Sequence, residues 1–182
     1  MSLRGLQRWG SRVLWLFLIL VLAFGAFQFI GPERVWSLLG PADLGSVTFE
    51  TLERRATPND ALACPADFCQ AKADIVSPEF AMSAPDLRLA FATAIAGEPR
   101  LVQVDRNDAT LTDRFVQRSH LMRYPDTIVV RFVDLPDKRS SIALYSRSQL
   151  GKGDLGVNLA RIKRWLAALE RVAKPAEPAT TP

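Results

Sequence analysis

Residues 127–172 read TIVVRFVDLPDKRSSIALYSRSQLGKGDLGVNLARIKRWLAALERV. Two β-branched runs, Thr127 to Val133 and Ser141 to Gln149, flank Asp134-Leu135-Pro136-Asp137, whose proline and acids favour a turn. A turn that short makes the two strands antiparallel neighbours. The glycines of the hexapeptide Gly151 to Gly156 then end the strand pattern. From about Leu155 to Val172, Leu155, Leu159, Ile162, Leu166 and Leu169 fall on one side at about 100° per residue, which predicts a helix with one apolar face. A hairpin backed by a helix is the nucleus of the fold.

Upstream, two more strand-like runs appear: Leu101 to Val104, and part of Thr110 to Met122. Before them, Ser83 followed by Ala84-Pro85-Asp86 reads as a helix start, with a cap hydroxyl, a proline in the first turn and an acid three residues on. Leu87, Ala90, Phe91 and Ala94 give that helix an apolar stripe, and Gly97 stops it. Val47, Phe49 and Thr51 alternate with polar neighbours and predict a short strand. The fold class is therefore α+β: an antiparallel β-sheet covered by two helices.

One transmembrane helix precedes this domain. Val13 to Ile30 holds 18 residues without a charge, thirteen of them Leu, Ile, Val or Phe. On an insertion scale the run favours the bilayer by roughly 5 kcal/mol, and as a helix it spans roughly 27 Å. Arg4, Arg8 and Arg12 precede it, and the first acid is Glu33. The positive-inside rule then keeps the N-terminus in the cytoplasm and exports the chain beyond residue 30. A cleaved signal peptide, with Ala23 and Gly25 as a weak cleavage pair, is the competing reading; the apolar run exceeds the usual ~7–15 residues, which favours an uncleaved anchor.

The segments are a basic cytoplasmic N-terminus (1–12), the membrane helix (13–30), a Gly/Pro-rich linker (31–46), a periplasmic domain (47–172) and a Pro-rich tail expected to be disordered (173–182). The chain of 182 residues carries +4 overall, with a pI near 9.4. Three of its 23 basic residues lie before the membrane run, so the remaining 20 face 19 acids and the exported part carries +1. The basicity is largely a topology signal, and nucleic-acid binding loses its support.

Cys64 and Cys69 are the only cysteines. In an exported domain the first reading is a disulfide closing a small loop, worth roughly 2 kcal/mol by loop entropy. Free thiols come next and a metal site last, since one histidine cannot complete a four-ligand zinc site. No metal or cofactor is expected.

Gly151-Lys152-Gly153-Asp154-Leu155-Gly156 matches the dinucleotide fingerprint, but no further strand follows its helix and Asp154 would repel a pyrophosphate. Asp154, Asn158, Arg161 and Trp165 instead share one helix stripe that should look toward Tyr145-Ser146-Arg147-Ser148 on the preceding strand. Further polar patches lie at Gln117-Arg118-Ser119 and Arg123-Tyr124-Pro125-Asp126, with Arg131 on the next strand. Two readings compete. In the structural one, Asp154 caps the helix while Asn158 and Arg161 hold loop carbonyls and carboxylates. In the functional one, Arg118, Arg123, Arg147, Ser148, Asp154, Asn158 and Arg161 bind an anionic or lipidic ligand.

No catalytic residue is assigned. His120 is the single histidine, and on a strand its neighbour Ser119 would face the opposite way. A hydrolase using His120 with Asp126 or a serine is the alternative to a binding module.

Tyr145-Ser146-Arg147-Ser148, Gly151, Asp154-Leu155-Gly156, Asn158 and Arg161-Ile162 together resemble the signature of the bacterial domain-of-unknown-function family 1499. Arg123-Tyr124-Pro125-Asp126 and Pro58-Asn59 before Cys64 are similar to further marks of it, and the likeness covers roughly residues 48–172. The resemblance implies a small envelope or membrane-associated protein of a Gram-negative bacterium, which with the topology of residues 1–30 gives an inner-membrane anchor through residues 13–30. It carries over no activity or catalytic set, and protein partners stay open.

Overall fold

The computed structural model describes residues 3–175, with side chains from Trp9 onward. It contains two compact units, one ending at Pro41 and the other beginning at Ala42.

The first unit is helical. α1 (Leu3–Ile30) contains the stretch Trp9–Ile30, with a mean hydropathy of 2.6 and none of it buried, long and apolar enough to cross a membrane. Gly31, at φ 93°, makes a turn that an L side chain would strain, and α2 (Pro32–Ser37) follows with proline in its first turn. The Phe27 and Trp36 rings meet edge to face at 5.7 Å.

The second unit is α+β. Its strands are β1 (Asp60–Cys64), β2 (Ile75–Val76), β3 (Glu79–Phe80), β4 (Leu101–Asn107), β5 (Thr112–Arg118), β6 (Pro125–Leu135) and β7 (Arg139–Ser148), and its helices are α3 (Ala84–Ile95) and α4 (Val157–Val172). The strands form one sheet in the order β2-β1-β7-β6-β5-β4, with β3 beside β1 on the same edge of β7. All pairings are antiparallel except β1 with β2. The long β6–β7 hairpin is the predicted nucleus, and it turns at Pro136 with Asp137 and Lys138 both in the left-handed region.

Strand alternation sorts the side chains into two layers. Ile128, Val130 and Phe132 on β6, with Ile142 and Leu144 on β7, face α3 and α4 and meet Leu87, Phe91, Ile162, Trp165 and Leu169. Phe91 and Phe115 both pack edge to face against Trp165, at 5.8 and 6.3 Å. Val129, Ala143 and Tyr145 face the other way. They are covered by Phe49, Leu52 and the loop that the disulfide Cys64–Cys69 closes.

Ser83 caps α3 as its sequence requires, its hydroxyl accepting from the Asp86 amide. Phe49–Thr51 forms a 3-10 turn where alternation predicts a strand, with Phe49 drawn into the core on the sheet face of Val129, Ala143 and Tyr145. At the C-terminus Ala173 is buried in the core and Pro175 bridges to Phe80; residues 176–182 of the expected tail lie outside the described residues.

Candidate functional site

The stripe on α4 reaches the sheet as a buried polar network. Arg161 Nε donates to Gln117 Oε1 at 2.6 Å, Nη1 to Ser146 Oγ at 2.7 Å and Asn158 Oδ1 at 2.6 Å, and Nη2 to Asp126 Oδ2 at 2.6 Å. Asn158, fully buried, passes its amide hydrogens to the Asn59 carbonyl and to Ser148 Oγ. Gln117 in turn donates to Glu98, which accepts two bonds from Arg164. Those bonds from Arg164, ahead of the bond from Gln117, hold the Glu98 carboxyl down at about 2.

Asp154 folds back on its own helix, accepting from the Gly156 and Asn158 amides. The glycine loop is thus bonded to itself. Of the seven predicted ligand residues, Ser148, Asp154, Asn158 and Arg161 come together here, joined by Ser146, Gln117, Asp126 and Asn59.

Arg147 does not join them. On an alternating strand only Ser146 and Ser148 face α4, so Tyr145 and Arg147 point to the opposite side, contrary to a reading that aims all four at the helix. There Tyr145 donates to Asp60 at 2.6 Å, and burial together with that carboxylate raises its pKa. Arg147 Nη2 donates to the Leu44 and Gly45 carbonyls, and its Nε is buried without a partner among the described residues. Burial, with Arg55 and Arg114 nearby, lowers its pKa from the usual guanidinium value.

Arg118 and Arg123 belong to a third place, the connection between β5 and β6. Arg118 Nη1 donates to the Arg123 carbonyl at 3.4 Å, and Arg123 sits in the left-handed region at φ 58°. β5 ends at Arg118, so Ser119 and His120 lie in that loop rather than on a strand. The Ser119 amide bonds the Tyr124 carbonyl and its Oγ accepts from the Tyr124 amide, closing the loop. His120 is exposed there, while Asp126 is held by Arg161. The geometry does not assemble the His120–Asp126 pair.

A further feature has no counterpart in the sequence pattern. A cavity of about 260 Å³ opens between α3 and the β4–β5 edge. Phe91, Ile95, Leu101 and Phe115 line it on the apolar side; Arg88, Gln103, Arg106, Glu98 and Asp113 supply the polar side. Arg88 is clamped by Asp113 through Nε and Nη2, at 2.9 and 2.5 Å, which raises its pKa. The signal was present: Arg88 sits between Leu87 and Phe91 on a buried helix face, and an arginine there requires a carboxylate. Its partner 25 residues away carries no local mark. Among the described residues no three His, Cys, Asp or Glu side chains gather in a way that could hold a metal ion.

Fold and site thus define an α+β domain that follows an apolar N-terminal helix and is built around an arginine-centred polar network. Within that class, the chain belongs to a family described as protein of unknown function (DUF1499), whose model matches residues 56–169. No curated protein matches the sequence.

Proposed function

We propose that this protein is a non-catalytic binding module of the bacterial cell envelope, anchored in the inner membrane by residues 13–30 with its N-terminus in the cytoplasm and its domain in the periplasm. Three arginines before an acid-free apolar run support the orientation, and a disulfide suits an oxidising compartment. The ligand is a small lipidic molecule held in the α3–β4 cavity. The observation that carries this reading is the cavity itself, apolar on one side and bordered on the other by arginines, a glutamine and the carboxylates Glu98 and Asp113, just below the lower size of small-molecule sites. The Arg161 network supports it from behind, since its groups are already bonded to one another and act as scaffold.

Native mass spectrometry of the full chain, released from its membrane in mild detergent, tests the idea. A retained lipid-sized adduct is expected. Ala92→Trp should abolish it, because the indole would block the cavity from an exposed position that leaves the core intact. His120→Ala should leave it in place. A chain without an adduct, or one whose adduct survives Ala92→Trp, would refute the assignment.

A further inference from the structure

The strand registers bring five strand ends to one end of the sheet. Leu101 pairs Gln117, Gln117 pairs Asp126, Asp126 pairs Ser148 and Asp60 pairs Arg147. The connections 55–59, 97–100, 119–124 and 149–156 all leave from there. Together they hold four basic residues, Arg55, Arg100, Arg123 and Lys152, against two acids. Both acids are occupied, Glu98 by Arg164 and Asp154 by its own helix. At the opposite end, the connections 108–111 and 136–138 carry Asp108 and Asp137 against Lys138 alone. The connection 65–74 crosses from one end to the other, as the parallel β1–β2 pair requires, and its Asp74 pairs with Arg54 beside Asp60. The basic residues of the connections thus gather at one end of the sheet.

The basic end also exposes apolar side chains. Leu155 is fully exposed at 102% and Leu121 at 57%, with Val157 and Tyr124 beside them in sequence also exposed. Leu155 holds φ 54°, a left-handed conformation that costs a leucine free energy, and it makes no compensating contact with the core. The incoming chain meets the domain at this end as well: Thr127 Oγ1, near the start of β6, donates to the Ala42 carbonyl and accepts from the Leu44 amide. Only 11 residues separate Ala42 from the end of α1, and six of them are coiled in α2, so the tether is short.

Resting on the membrane-anchored reading, we infer that this end of the domain docks on the anionic phospholipid surface of the bilayer its own helix spans. Leu155, Leu121 and Val157 enter the headgroup–acyl boundary, and Arg55, Arg123 and Lys152 meet lipid phosphates. Apolar burial and the attraction of basic groups to anionic lipid act together in such contacts. The short tether keeps the surface within reach, so weak contacts suffice.

Hydrogen exchange of the full chain in nanodiscs tests this. Discs of phosphatidylcholine alone are compared with discs containing about 30% phosphatidylglycerol, an anionic surface. Amides of 119–124 and 151–157 should exchange roughly threefold or more slowly on the anionic discs, while 108–111 and 136–138 should not change. Arg123→Glu with Lys152→Glu should cancel the difference, and Leu155→Ser should weaken the protection. Equal exchange in both discs overturns the proposal. So does equal protection on phosphatidylcholine discs supplied with inorganic phosphate, which would mark a soluble-anion site. A chain that fails to stay on the discs overturns the anchor, whereas a retained chain with equal exchange overturns the docking alone. Loss of the cavity adduct in Ala92→Trp should not alter the exchange pattern.

Discussion

Arg161 is the residue on which most of the polar interior depends. Its guanidinium and the Asp126 carboxylate are 5% and 10% exposed as side chains, and the same fork also serves Gln117, Ser146 and Asn158. Removing one partner of a buried ion pair leaves an uncompensated charge in a poorly polarisable interior. Arg161→Ala should therefore cost about 3–5 kcal/mol, read by denaturant unfolding of the full chain in detergent. Arg161→Met with Asp126→Leu should recover part of that loss, since neither charge is then stranded. A single-variant loss below about 1 kcal/mol would show that water relieves the pair. Leu155 carries a converse expectation: Leu155→Gly should stabilise the domain slightly or leave it unchanged, because glycine suits φ 54° and no buried area is lost.

Glu98 links three elements. It lies just beyond α3, accepts from Arg164 on α4, and accepts from Gln117 on β5. With its carboxyl held at about 2, below the ordinary value of 4.5, the folded state binds the proton less readily than the unfolded chain. The stabilisation is complete above the unfolded value and is lost as pH falls through the folded one. Acid titration of stability should thus show a decline between about pH 4.5 and 2 that Glu98→Gln makes shallower, by less than one proton. An unchanged slope would mean that Arg164, which is half exposed, contributes little. At this scale the helices and the β6–β7 hairpin were legible, because their periods of about 3.6 and 2 are written in local apolar spacing. β1 was not. Its Asp-Ala-Leu-Ala-Cys has weak strand propensity, and it becomes a strand only because β7 offers an edge.

For the whole molecule, the +4 of the sequence separates into a basic N-terminal flank and a domain of nearly balanced charge whose basic loop residues gather at one sheet end. The flank carries the topology prediction. A reporter active only in the periplasm, fused after Pro182, should be active, and moving Arg4, Arg8 and Arg12 to the far side of the apolar run should silence it. Activity that survives that transfer would refute the orientation. The sequence by itself determined the apolar helix, the antiparallel hairpin with its covering helices, and the family signature, since each rests on residues close together along the chain. Only the tertiary structure decided which signature residues act together. Strand alternation sends Arg147 away from Ser146 and Ser148, Arg88 finds Asp113 across the helix–sheet interface, and Leu121 and Leu155 come to one sheet end through register alone. Those pairings depend on contacts between residues far apart in the chain, and no local pattern encodes them.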